Sequence, residues 1–315
     1  MPIVEVGDAP EVLAIIPTLG DDPSRLTACV ESIARSTGPL RIGVLCVLNS
    51  STVAPFDLPG ATVEVVGLNL GWAGGLAFGV SLVDSPLLWF VQDDMTVEPD
   101  TLAHLHASLI ADETLGVVGP VAVDGNGLVA PYSCGSLISA HGVMSNWYPR
   151  QPTPVDELAG LDQLGYLPSR GMLVRRTAYT AVGGANVRLY PVQFVDVDFC
   201  LRLSAAGWRF RMVPEALIRH AGKGSTPSAF AEFLHSRNAQ TLKQDWFADS
   251  RETTERFVAT AALRPDAVSA PHHRLHPGLD GDLLEAVAQS AADALIHLGR
   301  VYTAALRGSP PAAPE

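Results

Sequence analysis

Basic residues are scarce in this 315-residue chain, which has 21 lysines and arginines against 33 aspartates and glutamates and a net charge of −12. An acidic surface repels nucleic-acid backbones and anionic membranes, so we expect no nucleic-acid partner. Long apolar runs are also lacking, since none approaches the roughly 18 residues of a membrane-spanning helix. Residues 1–10 lack the basic and apolar regions of a secretory signal. The chain is therefore predicted to be a cytoplasmic protein without a membrane span.

Cysteine is sparse as well, and its four positions show no C-x-x-C spacing. Two of them lie inside apolar segments, a setting typical of reduced, packed thiols. Disulfides and a structural zinc site are therefore not expected. The four residues are Cys29, Cys46, Cys134 and Cys200.

Apolar, β-rich runs alternate with helical patterns along the first part of the chain. Four runs predict buried strands, at residues 12–17, 41–49, 62–69 and 86–91. Such alternation predicts an α/β fold with a mostly parallel, layered sheet flanked by helices, which binds its ligands at the carboxyl ends of the strands. The polar residues at these ends are Asn49, Asn69, Gln92, Asp93 and Asp94.

The rest of the chain divides into segments of different character. Residues 71–84 predict a glycine-rich turn that feeds a helix, whereas residues 124–170 lose regular periodicity, as functional loops and edge strands do. We assign residues 1–245 to one main domain and residues 246–315 to a small helical extension. The extension is expected to have a linker near residues 264–281 and a disordered tail.

The extension contains one amphipathic helix, because apolar residues keep helical spacing from Leu284 to Tyr302. We expect this helix to pack on the main domain or to join two copies of the chain in a homodimer. His272, His273 and His276 could share a metal ion, but they lie in the proline-bounded linker, which favours no functional role.

The segment FVQDDMTVEPD, from Phe90 to Asp100, leaves a buried strand with two adjacent carboxylates. Helix capping does not explain the pair, because Asp100, directly before the next helix, is the better N-cap. Carboxylates at a strand end instead favour Mg²⁺ or Mn²⁺, which keep open positions for the phosphate oxygens of a substrate. A plain solvated acidic turn is the alternative.

Five motifs stand in an order that resembles the inverting family-two glycosyltransferases of the GT-A fold, over residues 11–245. They are LAIIPTLG, VLNSS, NLGWAGGLAFG, VQDDM and a block from Gly183 to Ser225 that contains VDVDFCLRL and IRHAGKGS. Each motif is weak alone, but five in register are specific. Their style is similar to the rhamnosyl- and galactofuranosyltransferases of bacterial envelope assembly.

The resemblance implies that the chain transfers a sugar from a nucleotide-diphosphate donor of the UDP or dTDP type, with Mn²⁺ or Mg²⁺. By the family pattern, Asp94 is the principal metal ligand, with His220 and Gln92 beside it, and Asp93 contacts sugar or metal. Asp196 matches the position of the base that deprotonates the acceptor hydroxyl. The residues implied in donor binding are Pro17, Thr18, Asn49, Gly71, Gly74, Gly75, Asp93 and Arg237.

Structural roles compete with several of these assignments. Asp196 could cap the helix that begins there, His220 could be a packed strand-end histidine, and Arg237 could face solvent on a helix. Asp198 is expected to have a structural role, paired with Arg202 four residues later.

The irregular region of residues 124–170 is, by the same resemblance, an insertion on the acceptor side that forms a lid or faces the acceptor. Trp147 and Tyr148 lie inside it. Their rings could stack on an acceptor sugar or pack the loop down.

Three positions depart from the family pattern. Leu48 replaces an aspartate that binds the donor base, so base recognition would rest on Asn49 and backbone groups. Gln92 replaces the first aspartate of the metal motif and brings no charge, which predicts weaker metal binding. Val195 replaces the acidic residue that usually precedes the base.

The main hypothesis is an inverting glycosyltransferase that acts on a glycan, a lipid-linked glycan or a small molecule, and meets the inner face of the membrane through such a substrate. The alternative is a catalytically degenerate partner subunit that binds a sugar nucleotide or glycan, motivated by Leu48 and Gln92. A nucleotidyltransferase is a third hypothesis, but no glycine-lysine phosphate loop follows the first strand.

Overall fold

The computed structural model describes residues 5, 9–138, 144–145, 148–220, 228–247 and 276–306. The strands are β1 (Val12–Thr18), β2 (Ile42–Leu48), β3 (Thr62–Val65), β4 (Leu87–Phe90), β5 (Met95–Val97), β6 (Leu115–Val123), β7 (Leu128–Val129), β8 (Leu137–Ile138), β9 (Met144–Ser145), β10 (Thr153–Pro154), β11 (Met172–Arg175) and β12 (Arg209–His220). The helices are α1 (Pro23–Ala34), α2 (Gly71–Leu82), α3 (Thr101–Ile110), α4 (Arg176–Ala181), α5 (Val195–Ala205), α6 (Ser228–Trp246) and α7 (Gly281–Leu306).

Within these ranges, ten strands form one mixed sheet, in the order β10-β7-β6-β11-β4-β1-β2-β3, with β12 paired to both β5 and β6. Strands β3, β2, β1 and β4 are parallel neighbours, as predicted. Beyond β4 the sheet becomes antiparallel at β11, which pairs with β4 and β6. Between β6 and β11 the described residues supply only short strands and 3₁₀ turns and no crossover helix. The α/β class is therefore confirmed, and the long parallel ladders are joined by shorter antiparallel ones in one mixed sheet.

Strands β1 and β2 are buried along their whole length, which explains their continuous apolar sequences. On β1, Val12, Ala14 and Ile16 belong to an apolar core shared with α1 and α3. Leu13 and Ile15 belong to a second core, shared with α2 and α5. Because successive side chains of a strand point to opposite faces, the sheet separates the two cores.

Helix α2 begins at Gly71, whose φ of 69° is left-handed, so the predicted turn is confined to this first glycine and the other glycines of the segment lie inside the helix. Its glycines allow a close approach to β1. A Cβ atom on Gly75 would lie 2.9 Å from Pro17 Cβ, and one on Gly79 would lie 2.6 Å from Ile15 Cγ2. The absence of side chains thus explains why a helix rich in glycine packs directly on the central strand.

The C-terminal helix α7 begins against the main domain, which is one of its two predicted arrangements. Val287 is buried, and its Cγ2 atom would lie 3.1 Å from a Cβ atom on Gly74 of α2. Ahead of the helix, His276 Nε2 lies 3.0 Å from Glu64 Oε2, and the His276 ring meets Phe78 edge-on. A homodimer through α7 stays a prediction, as does the domain boundary after residue 245.

Some predictions fall outside the described residues. They concern the linker up to residue 275, the tail from residue 307, Trp147, His272 and His273. The four cysteines are described, and all are buried and free, as predicted. Among the described helices, none has the length and apolar character needed to cross a membrane.

Candidate active site

Strand pairing brings the predicted metal residues together at one edge of the sheet. Strand β4 lies beside β1, so the turn after β4, which holds Gln92, Asp93 and Asp94, lies at the carboxyl end of β1. Strand β5 follows at once and pairs antiparallel with β12, with His220 opposite Met95. His220, 128 residues after Gln92, is thereby placed beside the acidic pair.

His220 contacts both residues predicted to share a metal ion with it. Its Nε2 atom lies 3.1 Å from Asp94 Oδ1 and 3.0 Å from Gln92 Oε1. Burial raises the pKa of Asp94, but the hydrogen bond and charge of His220 and the charge of Arg25 outweigh burial and lower this pKa below its ordinary value. Asp94 is therefore ionised at neutral pH.

The ligand atoms of Asp94, Gln92 and His220 are of types that bind a hard divalent cation. They comprise one carboxylate oxygen, one amide oxygen and one imidazole nitrogen, of which only the carboxylate carries negative charge. Across the described part of the chain, no three histidine, cysteine or acidic side chains converge on a metal position. A cation at Asp94 would therefore depend on further oxygens, such as those of a substrate diphosphate.

Asp93 has a different environment from its neighbour Asp94. Its Oδ2 atom accepts hydrogen bonds from Thr18 Oγ1 at 2.6 Å and from Arg25 Nη2 at 3.3 Å. Burial raises the pKa of Asp93, and the bonds from Thr18 and Arg25 offset only part of that rise. The adjacent carboxylates thus bind different elements, Asp93 to β1 and α1, and Asp94 to β12. Sequence reasoning missed Arg25, which no motif marks.

Asp196, the predicted base, is the second residue of α5, and Phe194 occupies the N-cap position, so Asp196 is not the helix cap. Its carboxylate accepts hydrogen bonds from the backbone nitrogens of Ser169, at 3.1 Å, and Val197, at 2.9 Å. Burial raises the pKa of Asp196 and outweighs these bonds and the charge of Arg170. A raised pKa suits a general base, because the carboxylate then binds a proton more strongly.

One cavity of about 380 Å³ joins the predicted base to two of the three predicted metal residues. Asp196, Gln92 and His220 all line it. The irregular region of residues 124–170 supplies another part of the wall, including Tyr132 and Tyr166. The volume is typical of a small-molecule site, and the wall combines apolar with polar side chains. Asp94 lines a second cavity of about 350 Å³, and His220 lines both.

Ser169 connects the base to the metal motif. Its backbone N–H binds Asp196, and its hydroxyl oxygen lies 3.4 Å from Gln92 Nε2. With the amide nitrogen of Gln92 directed at Ser169, the amide oxygen faces His220. Sequence reasoning missed Ser169, because nothing in the motif predicts a partner 77 residues away.

The loop before Asp196 has a strained backbone. Gln193 and Phe194 have left-handed φ angles of 81° and 63°, a conformation that costs a non-glycine residue about 1–3 kcal/mol. Asn238 of α6 holds this loop, since its Nδ2 atom lies 2.7 Å from the carbonyl oxygen of Val192 and 3.2 Å from that of Gln193. The amide of Asn238 therefore fixes the approach of the chain to the base.

Arg237, beside Asn238, is buried, so the alternative of a solvent-facing arginine is wrong. Its guanidinium donates to Tyr190 O at 2.9 Å, to Asn238 Oδ1 at 2.8 Å and to Ser290 O of α7 at 3.4 Å. We call Arg237 and Asn238 the loop clamp. Contact between Arg237 and a donor stays a prediction.

The other residues implied in donor binding surround the start of α2. Asn49 is buried and donates to Gly71 O at 3.0 Å, while its Oδ1 atom meets no hydrogen-bond donor in the described part of the chain. Gly71 has a left-handed φ of 69°, and a Cβ atom there would lie 2.6 Å from Pro191 O. Gly71 therefore lets α2 approach the loop that leads to Asp196. Donor contacts stay predictions for Pro17, Thr18, Asn49, Gly71, Gly74 and Gly75.

Leu48, at the position where the family pattern has an aspartate that binds the base, is fully buried. Its Cδ1 atom would lie 2.6 Å from a Cβ atom on Gly20, in a position that also borders Phe56. The side chain therefore packs in apolar surroundings and offers no polar atom to a nucleotide.

Three further predictions concern structural roles. The pairing of Asp198 with Arg202 is confirmed, at 2.7 Å. Asp100 stands at the N-cap position of α3, but its side chain makes no capping bond there. The hydroxyl of Tyr148 accepts a hydrogen bond from the backbone nitrogen of Ala159 at 3.0 Å, which supports a packing role.

The family model described as glycosyltransferase like family 2 matches residues 10–242 of this chain. The chain belongs to this family. This chain is 33% identical over 135 residues to the N-acetylglucosaminyl-diphospho-decaprenol L-rhamnosyltransferase of Mycobacterium tuberculosis (strain CDC 1551 / Oshkosh), covering 40% of this chain and 44% of that relative. An uncharacterized protein y4gI of Sinorhizobium fredii is 33% identical over 87 residues, which cover 25% of this chain and 9% of that protein. The chain thus spans less than half the length of the curated relatives it matches.

Two solved structures resemble this chain in fold. GalNAc-T7 with UDP, GalNAc and Mn²⁺ gives a TM-score of 0.56 at 11% identity, covering 77% of this chain and 49% of that chain. The mannosyltransferase PcManGT from Pyrobaculum calidifontis with GDP-Man and Mn²⁺ gives 0.53 at 15% identity, covering 98% and 78%. The predicted GT-A fold is confirmed.

Proposed function

We propose that this family 2 glycosyltransferase moves a sugar, with inversion, from a nucleotide diphosphate of the UDP or dTDP type to a hydroxyl of a glycan, lipid-linked glycan or small molecule. The observation that carries the proposal is the shared cavity, which is lined by Asp196, Gln92 and His220 together. A base in one wall and a cation site in another allow the hydroxyl to attack the anomeric carbon while the diphosphate leaves from the opposite face.

Asp196 is the general base in this proposal. It takes the proton of the acceptor hydroxyl as that oxygen bonds to the anomeric carbon, and the electron pair of the broken bond leaves with the diphosphate. The backbone N–H groups of Ser169 and Val197 hold the carboxylate in place during the transfer. The raised pKa of Asp196 increases its strength as a base.

Asp94, His220 and the amide oxygen of Gln92 would hold Mn²⁺ or Mg²⁺, which supplies positive charge that stabilises the departing diphosphate. Asp94 contributes the negative charge of this site, because His220 and Arg25 keep it ionised. The bond from Ser169 orients the amide of Gln92 so that its oxygen faces the site.

The comparisons support the choice of donor and acceptor. The two structural neighbours carry a UDP or GDP nucleotide and Mn²⁺. The mycobacterial relative is named for rhamnosyl transfer to a sugar linked through a diphosphate to a polyprenol. We therefore favour a hexose-type donor sugar and a lipid-linked glycan acceptor, which would bring the enzyme to the membrane through its substrate.

Thermal unfolding with UDP, dTDP, GDP and their common sugars, with and without Mn²⁺, tests the donor site. A ligand at 100 times its Kd adds about 2.7 kcal/mol to the free energy of unfolding, which raises Tm by a few degrees. We expect a shift for one base that needs Mn²⁺ and is lost in Asp94→Ala. Unchanged Tm with every nucleotide would contradict the proposal.

A catalytically degenerate partner subunit is the second candidate, favoured by Gln92 in the metal motif and by the apolar packing of Leu48. Such a protein would bind a sugar nucleotide without releasing the nucleotide diphosphate. Metal-dependent release by the native protein, absent in Asp94→Ala, would exclude this candidate.

A further inference from the structure

An aromatic side chain is exposed in the cavity that the predicted base also lines. Among the described residues, two large apolar side chains are largely exposed, Tyr132 at 58% and Ile110 at 55%. Ile110 ends α3, whereas Tyr132 lines the cavity that contains Asp196. An exposed ring in the wall of a cavity is placed to contact a ligand.

The backbone at Tyr132 carries strain that a different residue would relieve. Ser133 N donates to Ala130 O at 3.3 Å, which closes a turn with Pro131 and Tyr132 at its centre. Tyr132 has a left-handed φ of 62°. Glycine or asparagine normally occupies that place in such a turn, since a left-handed conformation costs other residues roughly 1–2 kcal/mol. Strain of this kind is concentrated at functional sites.

Hydrogen bonds to Pro149 and Arg170 fix the position of the turn that contains Tyr132. Tyr132 N donates to Pro149 O at 2.8 Å, and Arg170 Nη2 donates to Ser133 O at 3.1 Å. The residue directly before Arg170 donates its N–H to Asp196. The ring is thus attached through a short chain of bonds to the residue that must meet the acceptor hydroxyl.

We propose that Tyr132 is a stacking platform for a sugar ring of the acceptor. The face of an aromatic ring carries partial negative charge and attracts the polarised C–H groups on the apolar face of a sugar, while the sugar hydroxyls remain at the edge. A sugar stacked on Tyr132 presents such a hydroxyl to Asp196 in the same cavity. The inference rests on the proposed function, since it assigns one substrate of that reaction to a named residue.

Three variants separate the ring from the turn. Tyr132→Asn removes the ring but suits the left-handed backbone, so it keeps the fold and is expected to unfold at the same or a higher temperature. Tyr132→Phe keeps the ring. Ile110→Asn removes the other exposed apolar side chain and serves as the control.

The probe is methyl N-acetyl-β-D-glucosaminide, titrated into the full chain and followed by saturation-transfer NMR. We expect Tyr132→Asn to bind about fivefold or more weakly, as truncation of an aromatic contact usually causes. Tyr132→Phe and Ile110→Asn should bind within about twofold of the native protein. Equal binding by Tyr132→Asn and the native protein, or no binding by the native protein, would overturn the inference.

Titration of the same samples with a nucleotide sugar shows whether a negative result contradicts the acceptor platform or the proposed function. Tyr132→Asn should retain the Tm shift of the native protein with its donor, because the ring contacts the acceptor alone. Loss of that shift in Tyr132→Asn would also count against an acceptor platform. If the native protein shows no donor shift at all, the proposed function fails instead.

Discussion

The two halves of the family 2 region hold their predicted site residues in different ways. In residues 9–123, parallel strands buried on both faces bring polar residues to one edge of the sheet through backbone pairing. In residues 124–247, particular polar side chains hold the backbone, such as Asn238 on the loop before Asp196 and Arg170 on the turn of Tyr132. In the first half, the positions of the site residues therefore follow from buried apolar strands. In the second half, they follow from the hydrogen bonds of single polar side chains.

The largest effect is expected where the two halves meet, at Asp94. Asp94→Asn keeps the shape but removes the carboxylate that contacts His220. We expect kcat/KM to fall about 10²–10³-fold, because the leaving diphosphate loses electrostatic stabilisation. The measurement is steady-state release of nucleotide diphosphate across a range of Mn²⁺ concentrations.

Asp57→Asn is the control for this variant, since Asp57 is an exposed residue of the same half. It should retain native activity. Native Mn²⁺ dependence in Asp94→Asn would show that Asp94 does not hold the cation.

The loop clamp offers the next test. Asn238→Asp is isosteric, but it places a carboxylate against the carbonyl oxygens of Val192 and Gln193. We expect a loss of about 2–3 kcal/mol in the free energy of unfolding, because three carbonyls, those of Leu189, Val192 and Gln193, lose their donor in a buried place. The freed loop should also misplace Asp196 and lower kcat about 10²-fold.

Urea unfolding and single-turnover kinetics on the folded fraction measure these two effects separately. Gln151→Glu makes the same change of amide to carboxylate at an exposed position and should leave both quantities unchanged. If Asn238→Asp is less stable but keeps the native kcat, the loop clamp stabilises the fold and does not position Asp196.

A smaller effect is expected at Ser169. Ser169→Ala removes the hydroxyl near Gln92 but keeps the backbone bond to Asp196. Because the contact is long and neutral, we expect about a threefold rise in the Mn²⁺ concentration needed for half-maximal activity, with kcat nearly unchanged. Ser204→Ala, on the exposed face of α5, is the control. An unchanged Mn²⁺ requirement would mean that Ser169 does not orient Gln92.

The sequence was informative for the first half because its signals are local. The runs before Asn49 and Asp94 end where buried strands end, and parallel pairing then places these ends at one edge of the sheet. Sequence patterns also located His220 and Asp196, although only the family resemblance connected them to Asp94.

The second half was less predictable because its contacts join distant residues without periodicity. Nothing local links Asn238 to a loop some 45 residues earlier, and Tyr132 lies in a turn whose tyrosine contradicts the usual residue preference. Glycines near Gly71 were expected to form a turn, yet the close packing of α2 on β1 uses them inside a helix. These three features depend on contacts between residues that are distant in the sequence, which local sequence patterns do not reveal.

The central claim is that Asp196 is the base of an inverting transfer, and Asp196→Asn tests it most directly. Burial raises the pKa of Asp196 above its ordinary value. As the pH is lowered, the native enzyme should therefore lose activity at a higher pH than an enzyme with an ordinary aspartate as its base. Asparagine cannot take the proton. We predict that Asp196→Asn keeps the Tm shift with donor and Mn²⁺ but loses transfer at every pH. Transfer by Asp196→Asn at a native rate and with the native pH profile would contradict the account.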